Sequence, residues 1–328
     1  MSEYRNLKGR KVKTFATDLS GATAEGQLFF STAAVGRELK IVNRIEAWAS
    51  GGNLNTARTI NGTGTQTAGL GFGGNAPPPS NNEVGKTEEY DGSAWSEQND
   101  LNTARLGMGG AGTQTAGLAF AGRLAAPPST LKDETEEYNG TAWTEQNDIN
   151  TARINLGGCG TQTAALGFGG DAGGVSNTSE EYNGTSWTEG NNLNTARESI
   201  CGAGTQTAAV GFAGYVSGAS ALTEEYDGTS WTNGNNMGTA RYGLAGSGLQ
   251  SAAIAFGGNP GGKADTEQYD GTNWTTTSNL ATGRRQLGSA NSSPSTASLA
   301  FGGNDTAVTN VTEEFVEIAA NTQSLEVS

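Results

Sequence analysis

The sequence has no histidine, two cysteines, seven prolines and no long apolar run in 328 residues. Each shortage excludes something. Without histidine there is no imidazole general base and none of the usual histidine-bearing zinc or copper sites. Without a run of about 18 apolar residues no membrane-spanning helix is expected. The first residues also lack the apolar stretch of a signal peptide, so the chain is expected to stay in the cytosol that makes it or to leave by lysis or assembly. Basic side chains are scarce, 19 against 33 acidic, and unevenly placed. Residues 1 to 44 carry a net charge of +4 and the remainder −18. An acidic body disfavours nucleic acid as a partner, because phosphate contacts need clustered Lys and Arg, while it favours solubility.

What the chain does contain is one unit repeated six times. Its six tryptophans, Trp48, Trp95, Trp143, Trp187, Trp231 and Trp274, are spaced 43 to 48 residues apart. Arginines follow at Arg58, Arg105, Arg153, Arg197 and Arg241 within Thr-Ala-Arg, with Arg284 in a looser copy. Phe72, Phe120, Phe168, Phe212, Phe256 and Phe301 each precede a pair of small residues, usually Gly-Gly. Self-similarity at this period marks a repeat architecture that can occupy most of the chain in one body.

Each unit decodes into four strands: a small-residue strand after the arginine, a Gly-Thr-Gln turn, a second strand ending in Phe, and a loop. A third strand then ends in Tyr, as in Glu88-Glu89-Tyr90, and an Asp-Gly or Asn-Gly pair leads to a fourth carrying Trp. Such a pair predicts a tight hairpin with positive φ at both residues. Four antiparallel strands in six copies predict an all-β, six-bladed β-propeller. Small inner residues let the blades crowd toward the axis, and outer Tyr and Trp fill the wider gaps between them.

The array begins at Trp48 without a preceding Phe-Gly-Gly and ends at Phe315 without a following Trp. The sixth blade is therefore expected to take its outer strand, near Ile45 to Ser50, from the N-terminal end, which closes the ring and removes an open edge. Residues 1 to 44 read as a small β module with a hairpin, with alternation at Lys11 to Phe15, Gln27 to Ser31 and Glu38 to Val42. The expected organisation is thus a module at 1–44, a propeller at 45–318 and a tail at 319–328.

On these markers residues 45 to 318 resemble the kelch-repeat propellers, with a shorter Tyr-to-Trp interval than is common there. Residues 1 to 44, above all Glu25 to Phe30 followed by Leu39-Lys40, resemble a short segment in structural proteins of tailed bacteriophages, notably marine and cyanobacterial ones. That resemblance implies a virion component assembled in the host cytoplasm.

Strand order places the Gly-Thr-Gln and Asp-Gly turns on one face, B, and the Thr-Ala-Arg connections and the loops after Phe-Gly-Gly on the other, A. Those loops vary, which is where recognition is usually placed. They hold Lys86, Arg123, Lys132, Asp171, Tyr215, Asn259, Lys263 and Asp305, the candidate binding residues. Residues 1 to 44 and the tail are expected on face B. The Glu-Glu pairs resemble catalytic or metal-binding carboxylates, but adjacent strand residues point to opposite faces, and a feature repeated in five blades belongs to the scaffold. One glutamate of each pair is expected to meet a repeat arginine, and the six arginines are expected to be structural. Cys159 and Cys201 lie on corresponding strands of adjacent units and are expected to be reduced.

The expected function is that of a non-enzymatic virion structural protein, a tail fibre, tail-associated or head decoration protein present in multiple copies. It would join other virion proteins through residues 1 to 44 and offer face A to a host-surface glycan or protein, with no cofactor, metal, nucleic acid or membrane insertion. The alternatives are a carbohydrate-binding or carbohydrate-active protein, of which an enzyme should show convergent acids that break the repeat, where the sequence offers only loop Asp171, Asp265 and Asp305, and a cellular interaction scaffold.

Overall fold

The computed structural model describes residues 13–15, 28–31, 38–77, 84–124 and 129–324, with side chains from 46 to 317 within those ranges. All regular structure among them is β. The chain divides into two compact units, one of Trp48–Val316 and one of Met1–Ala47 with Glu317–Ser328.

In the smaller unit, Lys13–Phe15 pairs in parallel with Phe29–Ser31, and Leu28–Ser31 pairs antiparallel with Glu38–Ile41. The antiparallel pair is the expected hairpin. The parallel pairing has no signature in the sequence. The rest of the segment up to residue 37, residues 78–83 and 125–128 in the two longest loops, and the tail from 325 lie outside the described residues, including most of the proline runs.

The larger unit is a six-bladed β-propeller. Blades 1 to 5 are antiparallel four-stranded meanders that begin at Thr59, Gly109, Gly157, Cys201 and Ala245 and end on the strands opened by Trp95, Trp143, Trp187, Trp231 and Trp274. Blade 6 uses Gly288–Ser289, Leu299–Phe301 and the start of Thr312–Ser324, and the strand beside this last one is the end of Glu38–Ser50. The ring is thus closed as expected: Gly51 N–H donates to the Thr312 carbonyl at 3.0 Å, and the Trp48 ring lies 4.9 Å from Phe256 and 5.2 Å from Phe315.

Six hydrophobic clusters, one at each junction between blades, make up the core. At each, the Phe of one blade meets the Trp of the next, as Phe120 meets Trp187 at 4.8 Å. Small residues permit this approach. A Cβ on Gly211 would lie 2.9 Å from the Phe168 ring, and one on Gly158 would lie 2.8 Å from the Gly110 carbonyl of the neighbouring blade.

Polar side chains repeat the same junction. Each Trp indole N–H donates to the Thr or Ser that opens the third strand of the preceding blade, from Trp143 to Thr87 at 2.8 Å round to Trp48 to Thr266 at 3.2 Å. Gln66, Gln114, Gln162, Gln206 and Gln250 each donate to two carbonyls of the preceding blade.

Two local expectations need correction. The Asp-Gly turn is a four-residue loop, with Tyr90 opposite Trp95, and only its glycine has positive φ. Asp91 Oδ1 accepts the N–H groups of Ser93 and Ala94, bonds that also hold its carboxyl below the ordinary range. The side chain thus builds the turn and removes the need for a second left-handed residue. The Gly-Thr-Gln segment is not itself the turn: the strand runs through Thr65, and Gln66-Thr67 makes the reversal.

Candidate functional site

The repeated charges are spent on the scaffold. Each repeat arginine is fully buried and paired with the first glutamate of the third strand in its own blade: Arg58 with Glu88, Arg105 with Glu136, Arg153 with Glu180, Arg197 with Glu224, Arg241 with Glu267 and Arg284 with Glu313. The same carboxylates accept backbone N–H groups from the incoming connection, as Glu224 does from Asn194 at 2.6 Å and Thr195 at 3.3 Å. The guanidinium donates to carbonyls around the Phe-Gly-Gly corner, such as Arg197 to Ala213 at 2.7 Å and Leu222 at 2.8 Å. Burial pushes Arg153, Arg197, Arg241 and Arg284 below their ordinary basicity, and the paired glutamate opposes this. A buried charge is tolerable only when paired and hydrogen-bonded in this way.

The second glutamate faces the other side of the sheet and accepts the phenol of the next blade: Tyr138 to Glu89, Tyr182 to Glu137, Tyr226 to Glu181, Tyr269 to Glu225 and Tyr90 to Glu314, at 2.5 to 3.0 Å. The sixth junction departs at both ends together. Blade 6 has Phe315 in place of the tyrosine, and blade 5 has Gln268 in place of the glutamate. Where the phenol is missing, the carboxylate is missing too.

Face A is a different kind of surface. Its centre is a cavity of about 110 Å³ at the mouth of the axial channel, bordered by all six blades through Thr59, Gly107, Asn155, Ser199, Gly243, Gln286 and their neighbours. Deeper in, the channel is lined mainly by Gly, Ala and Ser of the innermost strands. Its face B end is crossed by the first turn of blade 6. Asn291 donates to Gly110 at 2.8 Å and accepts from Thr63 at 2.8 Å, and Ser292 donates to Gly112 at 2.7 Å. Those are bonds to blades 1 and 2.

The expected binding residues fall into two groups. Arg123, Asp171, Tyr215 and Asn259 stand one step outside the mouth, where each pairs through its backbone with the residue after a repeat arginine: Leu106, Ile154, Glu198 and Tyr242. The Tyr215 and Tyr242 rings meet edge to face at 5.2 Å, and Asn259 Oδ1 accepts from Arg285 at 3.1 Å. Lys86, Lys132, Lys263 and Asp305 lie farther along the loops. Lys86 pairs with Glu97 at 2.7 Å and holds that carboxyl below its ordinary range, Lys132 pairs with Glu134 at 2.5 Å, and Lys263 lies 3.9 Å from Asp265. Asp171 accepts the N–H groups of Gly173 and Gly174 and so shapes its own loop.

Comparison of the sequence with protein-family models and with curated proteins finds no match. The site must be read from its own geometry. Among the described residues no group of three or more acidic or cysteine side chains is placed to hold a metal ion. Cys159 and Cys201 are free thiols, both pushed up to about 12 by burial, which makes them poor nucleophiles at neutral pH.

Several residues of this face escaped the sequence reading. Arg285 is hidden beside the repeat arginine Arg284. Asn155, Ser199 and Gln286 share no residue type, and what unites them is a backbone angle.

Proposed function

We propose that the chain is a non-enzymatic structural protein of a tailed bacteriophage particle, a kelch-type propeller that offers face A to a host surface or to a neighbouring subunit. One observation carries the reading. Nearly every side chain that recurs in the repeat is consumed by bonds within or between blades, while most residues that vary between repeats lie on face A, around the mouth or in the loops outside it. A scaffold selected to hold a variable surface has that distribution, because recognition resides in loops borne by a rigid frame. The six repeated glutamates that might have served an enzyme are bonded to buried guanidinium groups.

The assignment to a particle rests on the resemblance of residues 1 to 44 to phage structural segments, and the kelch type on the spacing of Gly-Gly, Tyr, Trp and Arg. In this role the protein is anchored by its N-terminal module and present in multiple copies. Purified full-length chain, labelled with a fluorophore, is expected to bind host cells saturably and, in excess, to slow virus adsorption. Binding to neither cells nor virion proteins at micromolar chain would remove the display role.

A further inference from the structure

Two residues after the repeat arginine, five blades turn left-handed: Gly107, Asn155, Ser199, Gly243 and Gln286 have φ of 65°, 57°, 51°, 58° and 49°. Their backbones are linked around the axis. The N–H of Asn155 donates to Gly107 at 2.7 Å, Ser199 to Asn155 at 2.8 Å, Gly243 to Ser199 at 3.0 Å and Gln286 to Gly243 at 2.8 Å. In blade 1, which has no left-handed residue at this place, Ile60 N–H donates to Gln286 at 3.3 Å.

Blades 2 and 5 provide the internal control. Glycine there makes the same turn, and Gly243 both donates to Ser199 and accepts from Gln286 while Gly107 accepts from Asn155, so the fold asks for nothing more than glycine. Blades 3, 4 and 6 nonetheless keep a side chain in a region L-residues avoid, and strain of this kind collects at functional sites. Asparagine tolerates the conformation better than most, but serine and glutamine have no such allowance.

All three retained side chains are polar, uncharged and on the border of the same cavity. The Ser199 hydroxyl and the Gln286 amide have no hydrogen-bond partner among the described residues. Asn155 Nδ2 donates to Glu198 at 3.3 Å, which fixes the amide and leaves its oxygen free to accept. Thr59 and Asn61 add polar groups, Met108, Leu156, Ile200, Leu244 and Leu287 add apolar ones, and no charged residue lines the cavity among those described.

We infer that this mouth is a binding site for the terminal neutral sugar of a glycan. Hydroxyl and amide groups interspersed with apolar side chains complement a pyranose, which has hydroxyls at its edge and C–H groups on its faces. A charged ligand would lose hydration without gaining a counter-charge. The Asn291 bolt across face B leaves face A as the side from which a glycan end would enter. The inference rests on the reading of face A as a recognition surface and names what it recognises.

The test is titration calorimetry of the full-length chain with the methyl glycosides of glucose, galactose, mannose and N-acetylglucosamine, with sialic acid as the charged comparison. Saturable binding of at least one neutral glycoside, and none of sialic acid, is expected. The triple variant N155G/S199G/Q286G should bind that glycoside at least tenfold more weakly while melting at the same or a higher temperature, because glycine relieves the left-handed positions. The single variant S199A, which keeps the strain and loses the hydroxyl, should also bind more weakly. No binding of any neutral glycoside, or unchanged affinity in the triple variant, overturns the inference. Cell binding retained in full by the triple variant overturns the pocket and leaves the display role standing. Glycoside binding by a chain that binds no host cell supports the pocket and removes the display role.

Discussion

Glu224 and Glu225 are neighbours on one strand with opposite duties, and replacing each by glutamine should separate them. Glu224 is 1% exposed and faces Arg197, which is fully buried. It also accepts the N–H groups of Asn194 and Thr195. Glutamine there leaves the guanidinium without its counter-charge and turns an NH2 group toward donors, so the cost is that of breaking a buried ion pair, about 3–5 kcal/mol. Glu225 accepts one phenol, from Tyr269 at 2.6 Å. A glutamine oxygen can still accept that bond, so Glu225→Gln should cost about 1 kcal/mol, the difference between a charged and a neutral acceptor. For a body of this size each kcal/mol shifts the melting temperature by roughly 2 °C. Urea midpoints and thermal melts on the full chain should therefore show Glu224→Gln falling by about 6–10 °C and Glu225→Gln by about 2 °C. Equal losses, or a larger loss at Glu225, would refute the division of labour between the two carboxylates.

Three further outcomes follow from the same contacts. Trp48→Ala should cost about 3 kcal/mol, comparable to Trp187→Ala, because both rings fill a blade junction; a loss below about 1 kcal/mol at Trp48 alone would mean that the ring is not held shut there. Gln268→Glu combined with Phe315→Tyr should restore the missing interblade pair with a coupling energy of about 1 kcal/mol in a double-mutant cycle, and strict additivity would show the sixth junction to be built differently. Burial and the bond to Glu314 push Tyr90 up to about 12, and burial with a carboxylate partner likewise raises Tyr138, Tyr182, Tyr226 and Tyr269. Stability from a raised phenol is complete below its unfolded value near 10 and is lost as pH climbs through the folded value. Denaturant midpoints should hold level up to about pH 10 and fall above it, and a level midpoint through pH 12 would contradict these bonds.

Much of the scaffold was legible because each marker does the same task in every blade. Trp, Phe, Arg and the first Glu recur since each has one partner whose distance along the chain is set by the repeat. Ring closure was legible for the same reason, as a count of strands that comes out whole only if Trp48 joins Phe315. The Asp-Gly turn was misread because an Asx side chain and a second positive φ are alternative ways to build a reversal, and the dipeptide does not distinguish them. The mouth was harder still. Gly107, Asn155, Ser199, Gly243 and Gln286 are united by φ, which leaves no common letter in the sequence. Asn291 could not be read as a bolt at all, because its partner Gly110 lies 181 residues away across the ring. The binding residues read from loop variability, such as Lys86 and Lys132, are tied to local carboxylates, while the uncharged positions nearer the axis carry the better case for a ligand.

The most direct test of the account is immunogold electron microscopy of purified virus particles, with antibody raised against the propeller. Gold at one defined location on intact particles is the predicted result and fixes where face A is presented. Intact particles without gold, with the antigen wholly in the soluble fraction of the lysate, would contradict the account.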